Sequence, residues 1–222
     1  MNPPAEAPAD CSRCPRLVAY RQTVREREPG WFNGAVPSFG DRDARLLVVG
    51  LAPGVTGANR TGRPFTGDHA GGLLYATLEK TGFSNGRFAA DTSDGLVLYG
   101  AMVTNAVRCV PPQNKPVGAE ISTCRRFLSA RIAGLPRLEA LVCLGRVAHD
   151  SLLRALGARL ADHPFAHGAR HDVAGYRVFD SYHCSRYNTN TGRLTAEMFE
   201  AVFEAAAEFL GPVSAPPVDG RR

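Results

Sequence analysis

Four stretches of this chain carry side chains able to do chemistry. The first is Cys11-Ser-Arg-Cys14, whose spacing lets two thiolates grip one metal centre. The second, residues 52–72, gathers Asn59, Arg60, Thr61, Arg63, Phe65, Thr66, Asp68 and His69 on a glycine-rich loop. The third is Asn105-Ala-Val-Arg108-Cys109 and the fourth Tyr182-His183-Cys184-Ser185-Arg186-Tyr187-Asn188, and each comes after an apolar run. Cys109 and Cys124 offer two further thiolates, and four together can hold either zinc or an iron–sulfur cluster, a choice that spacing alone leaves open. Cys143, among apolar neighbours, reads as core, and Cys184 as a packing residue. The glycines at 50, 54, 57, 62, 67, 71 and 72 permit positive φ and close approach of backbone to a ligand. Their spacing matches neither a P-loop nor a dinucleotide fingerprint. The loop is therefore read by its side chains, as the start of an active site.

The elements that must position these stretches alternate strand and helix. Residues 46–51 form an apolar, β-branched-rich run suited to a strand buried on both faces. Further strands are predicted over 96–104, 140–144 and 177–181, and helices over 16–28, 72–81, 119–132, 146–156 and 195–210. Residues 31–40 read as a loop with exposed aromatics, Trp31, Phe32 and Phe39. Residues 111–116, with three prolines, read as a stiff loop that cannot join a central strand. The pattern predicts an α/β fold, a three-layer αβα arrangement around a central, mainly parallel four-stranded sheet. The polar stretches come after strands one, two and four. If those strands are neighbours, their side chains converge on one rim, where open α/β sheets bind ligands. One domain is expected over 11–211, between a disordered N-terminus (1–10) and a flexible tail (212–222).

A hydrophobic content of 44% and a charged content of 21% fit one globular domain with a real core. The net charge of +5 favours anionic partners. Lys80 and Lys115 are the only lysines, an arginine bias that suits bidentate phosphate contacts and equally a GC-rich genome. Residues 1–10 lack the basic start and apolar core of a signal peptide, and no apolar run reaches membrane-spanning length. A cytoplasmic protein without membrane contact is expected, one whose six cysteines serve a metal rather than disulfides.

Taken in order, Cys11-x-x-Cys14-Pro15-Arg16-Leu17, Gly50-Leu-Ala-Pro-Gly54, Gly62-Arg-Pro-Phe65-Thr-Gly67, Thr104-Asn105-Ala-Val-Arg108-Cys109-x-Pro-Pro and His183-x-Ser185 resemble the iron–sulfur uracil-DNA glycosylases over most of the chain. In the related family 4 the first loop motif carries an acidic residue, as in GEAPG. Here Leu51 and Ala52 come after Gly50, which is similar to family 5, the type B enzymes. The resemblance implies a monomeric DNA-repair enzyme acting on double-stranded DNA that contains a deaminated base. It would flip uracil, and also hypoxanthine and xanthine, out of the duplex and hydrolyse the N-glycosidic bond. It also implies a structural [4Fe–4S] cluster on Cys11, Cys14, Cys109 and Cys124.

The same resemblance implies roles for single residues. Phe65 stacks on the extruded base and Asn105 pairs with its amide edge. His183 donates a hydrogen bond to the departing base, assisted by backbone amides around Ala52 and Gly54. Apart from the resemblance, residues 51 and 52 offer no base, and Asp68 is the nearest carboxylate in the loop to orient water or stabilise the sugar cation, its alternative being a helix cap. Ser185, Arg186 and Asn188, with Tyr187 and Asn190, belong to a loop entering the minor groove. His69, His149, His163, His167 and His171 stay unassigned. Two readings fit the residues without the resemblance: a non-catalytic, zinc-stapled nucleic-acid-binding module, and a phosphohydrolase on the glycine-rich loop. Too few clustered carboxylates stand near that loop to favour the second.

Overall fold

Apolar runs too short for helices become the middle of a six-stranded sheet in the computed structural model, which describes residues 5–212. In chain order the elements are α1 (Pro15–Arg27), β1 (Phe39–Gly40), β2 (Leu46–Gly50), α2 (Ala58–Thr61), α3 (His69–Lys80), β3 (Ser84–Asn85), β4 (Val97–Leu98) and β5 (Ala101–Asn105). Next come α4 (Gly118–Ala133), β6 (Ala140–Leu144), α5 (Arg146–Ala155), β7 (Arg170–Val173), β8 (Tyr176–Ser181), α6 (Arg186–Asn190) and α7 (Ala196–Leu210). Every residue of β2, β5 and β6 is buried, as strands covered on both faces must be. Side chains alternate between the faces. Leu46, Val48 and Val142 pack with Leu74 of α3 and Phe199 of α7, while Leu47, Val49 and Leu141 pack with Leu128 of α4 and Leu152 of α5. The expected three-layer α/β fold is present.

The sheet order is β1-β5-β2-β6-β8-β7, and it has six strands rather than four. The four expected strands are its parallel centre, and β1 and β7 add antiparallel edges. Neither edge has a core strand's signature. β1 is two half-buried residues at the end of the loop 31–40, where Phe39 packs edge-on against Tyr75 rather than facing solvent. β7 is the polar Arg-His-Asp-Val, buried only at its last residue. The run 96–104 is also split: Val97–Leu98 pairs with Ser84–Asn85 in a separate two-stranded ribbon, and the chain turns at Gly100 (φ 59°) before β5 begins.

Within the segment 1–10, where disorder is expected, Glu6 and Ala7 contact the domain, while residues 8–10 are exposed. Arg108 Nη1 donates to Glu6 Oε2 at 3.0 Å, Arg131 pairs with the same carboxylate, and Ala7 is buried. Alanine and proline composition gives no hint of an ion pair made across the whole domain. Residues 1–4, and the expected tail beyond residue 212, lie outside the described residues. No helix among the described residues is long and apolar enough to cross a membrane.

Candidate active site

The rim at the carboxyl ends of β2, β5 and β8 encloses a cavity of about 800 Å³. The expected convergence occurs, but not because the three strands are neighbours: β6 lies between β2 and β8. Gly145 stands after β6 where the other strands carry polar stretches, and its position packs against the His183 Cβ. Ala52, Gly54, Phe65, Asp68, Asn105, His183, Ser185 and Arg186 all line the cavity. Asn188 does not. Its Nδ2 instead donates to the His183 carbonyl at 2.8 Å, while its own amide donates to Ser185 Oγ at 3.4 Å. Asn188 thus shapes the loop after β8, and Ser185 is the N-cap of α6 as well as a lining residue.

Asn105 ends β5 directly beside Gly50, the last residue of β2. A Cβ at position 50 would stand 2.5 Å from both Asn105 Oδ1 and Phe65 Cζ. Glycine at this strand end makes room for the carboxamide and the ring together. Of the seven loop glycines, only Gly62 and Gly67 have positive φ, so close approach explains more of them than turn geometry does. Phe65 itself sits in the left-handed region (φ 54°), an uncommon conformation for a bulky side chain that marks built-in strain. Its ring lies 6.0 Å from that of His183, 25° from parallel. Burial pushes the His183 pKa down to about 4, with no charge or hydrogen bond among the described residues to offset it. The ring is neutral at physiological pH.

Asp68 occupies the N-cap position of α3 but makes no side-chain capping hydrogen bond. Its Oδ2 packs where a Cβ on Gly57 would stand at 2.5 Å, and its Oδ1 has no hydrogen-bond partner among the described residues. Burial raises its pKa, while the facing amides of Gly71 and Ala70 and the nearby His69 hold the rise back. Other polar loop residues serve the scaffold. Arg63 is buried in an ion pair with Asp94 at 2.7 Å, and Asn59 Nδ2 donates to Asn33 Oδ1 at 2.9 Å. Thr56 and Asn114 also line the cavity, beyond the residues expected there. Gln113 and Asn114 adopt successive positive φ values of 55° and 56°, so the proline-rich loop turns its asparagine toward the rim. Asparagine's tolerance of that conformation was the available signal.

Behind the rim, Cys11, Cys14, Cys109 and Cys124 line one small cavity with Ala7, Leu17, Val107 and Phe127. Among the described residues, no carboxylate or imidazole lines it. Arg21 Nη1 donates to Cys109 Sγ at 3.1 Å and the Arg108 amide to Cys124 Sγ at 3.3 Å. Burial pushes the Cys109 and Cys124 thiols up to about 11 and 12, so thiolates there require a cation to pair with. Four thiols, mostly apolar walls joined by Arg13, Arg108 and Thr123, and N–H groups aimed at sulfur fit a thiolate-bound metal centre. Cys143 and Cys184 lie elsewhere, fully buried in core positions. Cys143 also approaches His149 and Asp180, their ligand atoms lying within 4.8 Å of one another. Both nitrogens of His149 are already engaged there, by Asp180 Oδ1 at 2.8 Å and the His163 carbonyl at 2.9 Å, so this cluster is complete without a metal.

Fold and rim together define an α/β protein with a cavity at the carboxyl ends of its parallel strands, the place where open α/β sheets bind ligands, and a group of four thiols elsewhere. Residues 37–207 match the profile of the Uracil DNA glycosylase superfamily. A type-5 uracil-DNA glycosylase of Thermus thermophilus is 48% identical over 208 residues, 90% of this chain and 94% of the relative. One of Pyrobaculum aerophilum is 42% identical over 206 residues, covering 91% and 90%. A type-4 uracil-DNA glycosylase of the latter organism is 30% identical over 151 residues, covering 68% and 63%. The chain belongs to the uracil DNA glycosylase superfamily, within its type-5 branch.

Proposed function

We propose that the chain is a monofunctional DNA glycosylase that hydrolyses the N-glycosidic bond of uracil, and also of hypoxanthine and xanthine, in double-stranded DNA. The observation that carries this reading is the grouping of Phe65, Asn105, His183 and Asp68 around one cavity at the sheet rim. A base buried in a duplex must leave the stack to reach such a cavity. Tyr187, 72% exposed beside Arg186 at the cavity mouth, is the side chain to fill the vacated space. Once inside, the base lies over Phe65 and pairs its amide edge with Asn105. The C1′–N bond breaks with its electron pair leaving on the base, and positive charge develops on the sugar. The neutral His183 ring donates a hydrogen bond to the departing base, and the amides near Ala52 and Gly54 add to that field. Water adds to C1′ with Asp68 beside it, its surplus proton passing to the base or to solvent. The products are the free base and an abasic site. The protein acts as a monomer in the cytoplasm. Single deoxyuridine, deoxyinosine and deoxyxanthosine sites, in duplex and in single strand, test the reading by release of free base. Release of none of the three ends it in favour of a non-catalytic nucleic-acid-binding module.

The four-thiol site fits a [4Fe–4S] cluster held by Cys11, Cys14, Cys109 and Cys124. When bound, the cluster supplies a covalent cross-link rather than reaction chemistry. Arg16 already bridges the first cysteine segment to α4, donating to Glu120 Oε1 and Oε2 at 2.8 Å each, and a metal centre would extend that tie. Serine at any of the four positions is expected to abolish iron binding and reduce solubility, whereas Cys143→Ser and Cys184→Ser keep full iron. Iron analysis and visible absorbance of anaerobically purified protein check this, and stoichiometric zinc without iron refutes the cluster. A second expectation concerns Gly50. Gly50→Ala forces Asn105 and Phe65 apart and should slow release from every substrate by about tenfold or more. Unchanged single-turnover rates for this variant remove those two residues from the reaction.

A further inference from the structure

Asp180 has no part in the proposed reaction, yet it stands three residues before His183. It is fully buried, and each carboxylate oxygen takes one imidazole: Oδ1 that of His149, from α5, at 2.8 Å, and Oδ2 that of His171, from β7, at 3.1 Å. The same two neighbours hold its backbone. The Gly168 amide donates to the Asp180 carbonyl at 2.8 Å and the Asp180 amide to the Ala169 carbonyl at 3.0 Å, both from the segment leading into β7. From the start of α5, the Gly145 amide donates to the Ser181 carbonyl at 2.8 Å. The Tyr182 amide then donates to His167 Nδ1 at 3.2 Å. From Asp180 to His183 the strand end is held on both sides.

Stability alone does not explain a buried carboxylate between two imidazoles. Apolar side chains of equal volume are often as stable or more so, because charges and polar groups lose their hydration on burial. A fully satisfied polar network instead fixes direction, since each bond is lost when the partner rotates or slides. Here every bond bears on one short segment, and that segment ends in the ring that faces the cavity.

We propose that Asp180, through His149 and His171, is the positioning residue for His183: it draws α5 and β7 against the end of β8 and thereby sets where the His183 ring stands. The kinetic test rests on the glycosylase reading, while the spectroscopic test rests on geometry alone. Asp180→Asn is made in the wild-type and in the His183→Ala background, and single-turnover uracil release is measured in all four proteins. In the wild-type background the rate should fall about tenfold or more at unchanged affinity for a uracil duplex, and in the His183→Ala background by less than about twofold, as expected of coupled residues. Equal losses in both backgrounds mean a general structural role and overturn the proposal. In ¹⁵N-histidine-labelled protein, Asp180→Asn should shift or broaden the His183 ring signals while leaving those of His69. An unmoved His183 signal overturns the proposal whatever the protein excises. Should Asp180→Asn not fold, His171→Gln removes one arm only, and the same coupling pattern is expected with a smaller loss.

Discussion

His183→Ala is expected to slow single-turnover uracil release by about 10²-fold or more, while affinity for a uracil-containing duplex changes only a few-fold. The reason is the ring's ionisation state as much as its place. Burial holds its pKa at about 4, so at neutral pH it carries no charge before the reaction and an N–H to offer during it. A preorganised donor on the cavity wall gains most as charge appears on the base, which is where a rate effect without a binding effect comes from. His183 ionisation should leave the rate unchanged from neutral to alkaline pH. The same burial affects stability with a definite sign. The folded-state pKa lies below the ordinary histidine value of about 6.5, so stability is full above that value and lost as pH falls toward 4. His183→Ala therefore loses rate and, relative to wild type, becomes more tolerant of acid. Thermal unfolding between pH 7 and pH 4 separates this from simple damage, because damage lowers stability at both ends. A variant with wild-type release rates ends the donor role.

Much of this site was legible because strand ends are legible. The runs 46–50 and 140–144 announce strands buried on both faces, and a parallel sheet gathers the loops at the carboxyl ends of such strands on a common rim. Asn105, His183 and the loop to Asp68 could be placed together on that argument alone. Strand order could not be had the same way: β6 sits between β2 and β8, and its exit at Gly145 runs directly into α5 beside His183. Nor did residue type separate scaffold from site within the loop. Arg63 looks like an anion ligand in sequence and is committed to Asp94, a partner 31 residues away. Glu6 was hidden for the same reason, its partners being 102 and 125 residues distant. Ion pairs of long range leave no periodicity to read. The edges β1 and β7 were missed because an edge strand need not be apolar, and a two-residue strand is below any pattern.

Asp68→Asn is expected to slow release of uracil, hypoxanthine and xanthine alike, by roughly 10- to 100-fold, without lowering the melting temperature at neutral pH. The rival role, a helix cap, predicts the reverse: normal rates and a lower melting temperature. The geometry leaves room for both. The carboxylate stands at the cap position of α3 facing the Ala70 and Gly71 amides, and one of its oxygens is buried at the cavity with no partner among the described residues. Burial raises its pKa, so the folded protein holds the acidic proton more tightly than the unfolded chain does. Such a group stabilises the fold below its unfolded pKa, and that contribution is lost as pH rises through the folded value. At pH 7 the ionised carboxylate is thus a cost to the fold, and asparagine removes it. A residue kept charged against stability is what a field on a sugar cation requires, because only the anion stabilises that cation or orients water toward it. The wild-type rate should accordingly fall as acid protonates Asp68, beginning above the ordinary aspartate range, and the variant should lose that limb of the profile. Asn105→Ala provides the contrast, changing the preference among the three bases because the carboxamide reads the base edge rather than the sugar. Single-turnover excision across the three substrates, paired with melting curves at pH 7, decides the matter. Wild-type rates with a lowered melting temperature for Asp68→Asn would return the carboxylate to the role of a helix cap.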